Sequence, residues 1–149
     1  MRFTLLFLSL LWGVLPLMGQ SQFTFEPQAN ATKDVAYIHI LYKTETLTLG
    51  KFRLRTTLTP DDPLRLAPNS YTLLKVAEDH VGFFSNYDEQ TRPWIMDLEP
   101  GKHYFFRFTW LPLQVNIDEL TQREFEMELF FNNIAVEPKH IYELGMPGS

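Results

Sequence analysis

The chain has 149 residues, a formal net charge of −5 and no cysteine. That length suits one domain with its own buried core. The lack of cysteine excludes disulfides, thiol catalysis and thiolate metal sites, and the acidic balance argues against nucleic acid and anionic lipid surfaces as partners.

Residues 1–21 have the pattern of a secretory signal peptide. One arginine precedes an apolar run, and two small residues, Gly19 and Ser21, stand where a cleavage site is expected. An uncleaved anchor is the alternative, because the apolar run approaches membrane-spanning length. Cleavage is favoured since no positive cluster follows the run. We therefore expect no membrane span in the mature chain and a flexible lead-in over residues 22–33.

Short strands with turn signals between them follow. Residues 35–42 are apolar on both faces, which suits a strand at the centre of a sheet. Over residues 51–58 apolar and basic side chains alternate, which predicts a half-buried strand. Further extended segments are predicted over residues 64–66, 71–77 and 81–84, and a long polar loop over residues 85–93.

The strongest turn signal is Pro100-Gly101, between two runs rich in aromatic and β-branched residues. Proline presets φ for the second position of a type II turn, and glycine supplies the positive φ that the third position requires. We predict a positive φ at Gly101. We also predict that residues 94–98 and 104–110 form the two strands of a hairpin at the centre of the core.

Two signals conflict in residues 122–131. Thr121 and Glu124 form a capping-box pattern, and Leu120 and Phe125 have the spacing of a hydrophobic staple, which together predict a helix. Apolar residues at 125, 127, 129 and 131 alternate with glutamates, which is a strand pattern. We favour the helix, because its signal is local and specific, and expect it to end at Asn132-Asn133.

These elements predict a mainly β protein. Its fold class is an antiparallel β-sandwich of about seven short strands with one short C-terminal helix. We place the β-sandwich domain at residues 34–133 and a C-terminal tail at residues 134–149.

The core segment, about residues 34–130, resembles a family of small bacterial envelope proteins known as domain of unknown function 2846. The resemblance lies in three stretches: Val35-Ala36-Tyr37-Ile38, Asn69-Ser70-Tyr71 continuing to His80, and Leu98 to Phe105 around Pro100-Gly101-Lys102. The chain departs from the family at Glu78-Asp79, where Pro-Gly is common. The resemblance implies a prealbumin-like β-sandwich in the cell envelope, and it implies no activity or site residues.

No catalytic, cofactor-binding or metal-binding residues are predicted. The four histidines, His39, His80, His103 and His140, are scattered along the sequence and form no ligand motif. We interpret them as ordinary polar or hydrogen-bonded residues. The many carboxylates lie mostly at turns, and neither a nucleophile elbow nor a glycine-rich phosphate loop is present.

Aromatic residues are more numerous than one core of this size requires. Tyr87, Trp94, Tyr104 and Trp110 could form an exposed platform, although core packing is the simpler interpretation. The first functional hypothesis is a non-enzymatic domain that binds an envelope protein through a sheet edge or an aromatic patch. The alternative is a small-ligand or carbohydrate-binding module. A concave aromatic cluster would favour the alternative, and a flat patch or a free strand edge the first hypothesis.

Overall fold

The computed structural model describes residues 34–44, 52–84, 92–110 and 115–146, which form nine strands and one helix. The elements are β1 Ala36–Lys43, β2 Phe52–Leu54, β3 Leu64–Leu66, β4 Ser70–Val76, β5 His80–Phe83, β6 Trp94–Asp97, β7 His103–Trp110, β8 Val115–Leu120, α1 Gln122–Phe131 and β9 His140–Leu144. The predicted signal peptide, the lead-in and most of the predicted polar loop lie outside the described residues.

A five-stranded sheet with the order β8-β7-β1-β4-β9 is the main element. The protein is mainly β, as predicted, but this sheet is mixed rather than antiparallel. The β1–β4 and β7–β8 pairs are antiparallel, whereas β1–β7 and β4–β9 are parallel.

β1 is the central strand of this sheet, as its apolar sequence predicted. Its residues from Ala36 to Tyr42 are all buried. Side chains of a strand alternate between the two faces, so Ile38 and Ile40 belong to one core and Tyr37 and Leu41 to another. The sheet is therefore covered on both sides.

Two small antiparallel sheets, β2–β3 and β5–β6, cover the first face. Their apolar residues, such as Leu54, Leu66 and Phe83, join the larger core with the even-numbered residues of β1 and β7. The segment that follows β2 is bonded to β5, since the Thr57 N–H donates to the Gly82 carbonyl at 2.9 Å.

α1 covers the second face. Phe125 and Leu129 are fully buried and pack with Tyr37, Leu41 and other residues of that face. The predicted helix is confirmed with its predicted bounds, and Asn132 is its C-cap. The alternation of apolar residues and glutamates, which suggested a strand, instead places Phe125 and Leu129 inside and Met127 and Phe131 outside.

The Pro100-Gly101 turn has the predicted local conformation but connects strands that do not pair with each other. Gly101 has φ +79°, and the Lys102 N–H donates to the Glu99 carbonyl at 3.1 Å. The predicted hairpin is wrong, because β6 pairs with β5 and β7 pairs with β1 and β8. The turn carries the chain from a small sheet to the main sheet, and the Gly101 N–H fixes it there by donating to the Val35 carbonyl at 2.8 Å.

Three further elements differ from the predictions. The predicted strand over residues 51–58 is described only as β2, which ends at Leu54, and Thr56 makes an isolated bridge to Phe83. β8 was not predicted. The predicted tail over residues 134–149 contains β9, which pairs with β4 and is an edge of the main sheet.

Candidate functional site

α1 exposes a second apolar surface on the side that faces away from the sheet. Met127, Phe130 and Phe131 are 46%, 66% and 73% exposed. Residues three and four positions apart lie on one side of a helix, so these three side chains form one patch, which we call the α1 outer face. The rings of Phe130 and Phe131 contact each other with centroids 5.6 Å apart.

The N-terminus of α1 is fixed by local hydrogen bonds. The Thr121 hydroxyl oxygen accepts from the Glu124 N–H, and the Glu124 carboxylate accepts from the Thr121 N–H at 2.7 Å. The hydrogen bond from the Thr121 backbone lowers the pKa of Glu124. This reciprocal pair satisfies two donors that a helix start leaves open, and it holds α1 in helical form although its outer side is apolar.

An ion cluster attaches the middle of α1 to the sheet. Glu128 accepts from Arg107 at 2.6 Å and from Lys43 at 3.0 Å, and Asp118 of β8 accepts from Arg107 at 2.9 Å. The hydrogen bond to Asp118 raises the pKa of Arg107. Burial would raise the pKa of Glu128, but the hydrogen bonds from Lys43 and Arg107 lower it below its usual range.

A surface groove of about 490 Å³ lies beside the α1 outer face. Its lining combines three members of this ion cluster with other polar and apolar atoms of the helix and β8: Lys43, Arg107, Leu120, Glu124, Met127, Glu128, Phe131 and Asn132. The exposed aromatic surface therefore continues into a shallow groove in which the basic side chains are already paired with carboxylates.

Beneath the first turn of α1, two of the four histidines meet. His39 Nε2 lies 2.8 Å from His103 Nδ1, and His39 Nδ1 lies 2.7 Å from the Tyr71 hydroxyl. We call these three residues the buried histidine cluster. His39 is 2% exposed, while His103 is half-buried and stacks on Tyr37 with ring centroids 4.7 Å apart.

Burial sets the protonation of this cluster. Burial and the neighbouring His103 lower the pKa of His39 to about 3, and burial lowers the pKa of His103. Burial also raises the pKa of Tyr71. All three groups are therefore neutral at pH 7. No sequence signal predicted the pair, because His39 and His103 come together only through the parallel pairing of β1 with β7.

The other histidines lie apart from this cluster. His80 is exposed and contacts Asp79, and the His140 ring lies 6.1 Å from the ring of Tyr142. In the part of the chain that the structure describes, no group of three or more histidines or carboxylates is placed to hold a metal ion. Within those same ranges no helix is long and apolar enough to cross a membrane.

The aromatic residues singled out in the sequence have different environments. Trp94 is 39% exposed and lies on Phe83 and Phe106, whereas Trp110 is half-buried against Phe52. Tyr104 is half-buried against the larger core. Tyr87 lies outside the described residues. Phe130 and Phe131, the most exposed large apolar residues in the ranges that the structure describes, were missed because the helix signal did not show which side of α1 faces the sheet.

Comparison with known proteins adds no relative: no family model, curated protein or solved structure matches the chain.

Proposed function

We propose that this chain is a non-enzymatic β-sandwich domain, exported to the bacterial cell envelope, that binds another protein through the α1 outer face. The observation that carries the proposal is the exposure of Met127, Phe130 and Phe131 as one patch on a capped helix. Exposed apolar patches of this kind are typical of protein interaction sites, and aromatic side chains are favoured anchors there.

The charged residues around the patch indicate what charge a partner segment should carry. α1 and β8 together carry five carboxylates and a single arginine, Arg123. The basic groups beside them, Lys43 and Arg107, are paired with Glu128 and Asp118. A matching partner segment presents apolar side chains to the patch and lysine or arginine at its flanks, since complementary charge favours association and fixes register.

The layer arrangement supports the β-sandwich. The small sheets β2–β3 and β5–β6 form a second β layer over the main sheet and share its larger core. The Tyr142 hydroxyl, on edge strand β9, joins the two layers by donating to the Arg65 carbonyl of β3 at 3.0 Å. Export and the envelope location rest on the signal-peptide pattern and on the resemblance described above.

Burial of His39 supports a non-enzymatic role. A catalytic acid or base must reach the proton that it transfers, but His39 and Tyr71 are almost fully buried beneath Phe125. Lys43 and Arg107 of the groove are partly exposed, but their charges are paired with the carboxylate of Glu128.

The groove supports small-ligand binding as a second candidate, because Phe131 lies at its edge and could stack on a sugar ring. A ligand would have to displace the hydrogen bonds that Lys43 and Arg107 make with Glu128. We therefore favour the protein partner.

The test is photo-crosslinking in cells that produce the protein, with a photoreactive residue at position 131 and, as control, at the exposed position 61 in the loop before β3. A protein captured only from position 131 should bind the purified domain through a basic-flanked apolar segment. The double substitution Phe130→Ala/Phe131→Ala should weaken that binding at least tenfold without lowering Tm. Equal capture from both positions, or binding that survives the double substitution, would contradict the proposal. Binding to a glycan panel, lost with Phe131→Ala, would support the second candidate.

A further inference from the structure

The first turn of α1 rests directly on the buried histidine cluster. Phe125 is fully buried, and its ring lies edge-on to His39 at 6.0 Å and to Tyr71 at 5.4 Å between centroids. Phe105 completes this contact at 5.4 Å. Because Phe125 is one of only two fully buried residues of α1, attachment of the helix depends on the state of the cluster.

The hydrogen bonds of the cluster limit how many protons it can hold. The contact between His39 Nε2 and His103 Nδ1 requires one nitrogen to donate and the other to accept. Neutral rings satisfy it in either direction, with Tyr71 as donor or acceptor at His39 Nδ1. One added proton keeps the contact but leaves a buried charge under Phe125. A second proton would place two N–H groups face to face and break the contact.

We propose that the buried histidine cluster is an acid-sensitive attachment site, and that its protonation releases α1 from the sheet. Removal of Phe125 from the cluster exposes His39 to water, where an imidazole accepts a proton near neutral pH. The released state can therefore bind protons that the attached state does not. Lowering the pH shifts the equilibrium toward the state that binds more protons, which is the released helix. The effect on binding rests on the proposed function, because a released α1 no longer presents its outer face from a fixed position.

Other charged or titratable groups near the cluster have separate roles. Tyr37 of β1 stacks on His103. Arg107 lies opposite Leu41, two residues along β1 from His39, and it is paired with Asp118 and Glu128. Lys43, on the same face, is paired with Glu128. Lys102, in the turn before β7, contacts Glu99. Glu124, at the start of α1, accepts a hydrogen bond from Thr121. A carboxylic acid in water loses its proton at a lower pH than an imidazole does, and the pKa values of Glu124 and Glu128 are lowered further. A transition between pH 6.5 and 5 therefore reports the histidines.

Amide hydrogen exchange of the whole purified protein tests this inference without any partner, so its failure is distinguishable from failure of the proposed function. After correction for the intrinsic pH dependence of exchange, the opening constant of the Leu129 amide should rise about tenfold per pH unit below pH 6.5, since release takes up one proton. The Ile40 amide at the centre of β1 should stay more protected at every pH.

The double substitution His39→Phe/Tyr71→Phe keeps aromatic side chains at both positions and should reduce that pH dependence by at least half, with His103 retaining the rest. His80→Gln, at an exposed histidine, should leave it unchanged. An opening constant for Leu129 that does not change with pH would overturn the inference. An opening constant for Leu129 equal to that of Ile40 would also overturn it, because the helix would then leave the sheet only on global unfolding. An unchanged pH dependence in the double variant would overturn it as well.

Discussion

Thr72 is a residue whose replacement should stabilise the protein. It lies in β4, is 1% exposed, and among the described residues its hydroxyl has no hydrogen-bond partner. A buried hydroxyl without a partner costs free energy that valine avoids at nearly the same shape. We expect Thr72→Val to raise the free energy of unfolding by about 1 kcal/mol, as measured by urea denaturation.

Thr56 is the matched control, because it is equally buried but its hydroxyl is bonded. Its hydroxyl oxygen accepts from the Thr59 N–H at 3.0 Å and lies 2.9 Å from the Thr59 hydroxyl. Thr56→Val leaves those groups of Thr59 without this partner, so it should lower the free energy of unfolding by about 1–2 kcal/mol. Equal destabilisation by both substitutions would contradict this prediction, because it would show that the hydrogen bonding of the hydroxyl does not distinguish the two sites.

At the scale of elements, the start of α1 can be tested directly. Thr121→Ala removes the hydroxyl that accepts from the Glu124 N–H, and loss of an N-cap of this kind costs about 1 kcal/mol. Gln122→Ala, the control one residue away, removes only an exposed hydrogen bond to Glu126. It should cost about a few tenths of a kcal/mol, which is typical of a side-chain pair four positions apart on a helix. Urea denaturation of both variants measures the difference, and equal losses would mean that the capping box contributes little.

The elements predicted correctly are those whose signals are local. The capping box and the staple residues of α1 lie within six positions, and the Pro100-Gly101 turn needs only its own two residues. Strand pairing is not local. β7 pairs in parallel with β1 across more than sixty positions, and nothing in residues 94–110 favours that partner over the nearer β6.

The same non-local pairing explains what was missed at the candidate site. His39 and His103 are ordinary residues in sequence, and only the β1–β7 register places them within 2.8 Å of each other. The α1 outer face was missed for a different reason. Phe125, Leu129 and Phe131 are equally apolar, so the side of the helix that packs on the sheet is decided by the tertiary structure.

At the scale of the whole molecule, the main sheet has a different environment on each face. One face is covered by two small sheets and has a continuous apolar core. The other is covered by a single helix, and its smaller core contains the buried histidine cluster beside apolar residues such as Leu73. Among the described residues, three of the four buried histidine and tyrosine side chains, Tyr37, His39 and Tyr71, therefore lie under α1, on the side with the thinner cover.

The free energy of unfolding of the whole protein should consequently depend on pH in the range where histidine side chains titrate. The folded pKa of His39, about 3, lies below its ordinary value of 6.5, so between these values the unfolded chain binds a proton that the native protein does not. The free energy of unfolding is therefore largest above pH 6.5. It should fall by about 1.4 kcal/mol per pH unit below that value for this histidine, with a further loss in the same direction from His103.

Carboxylates add to the loss only at lower pH, because the pKa values of Glu124 and Glu128 are lowered from 4.5. Urea denaturation at half-unit steps from pH 7.5 to pH 5 isolates the histidine window. His39→Phe/Tyr71→Phe should flatten the slope there, whereas His80→Gln should retain it. A wild-type stability that stays constant from pH 7.5 to pH 5 would show that native His39 accepts its proton as readily as an exposed histidine, which contradicts its burial beneath Phe125.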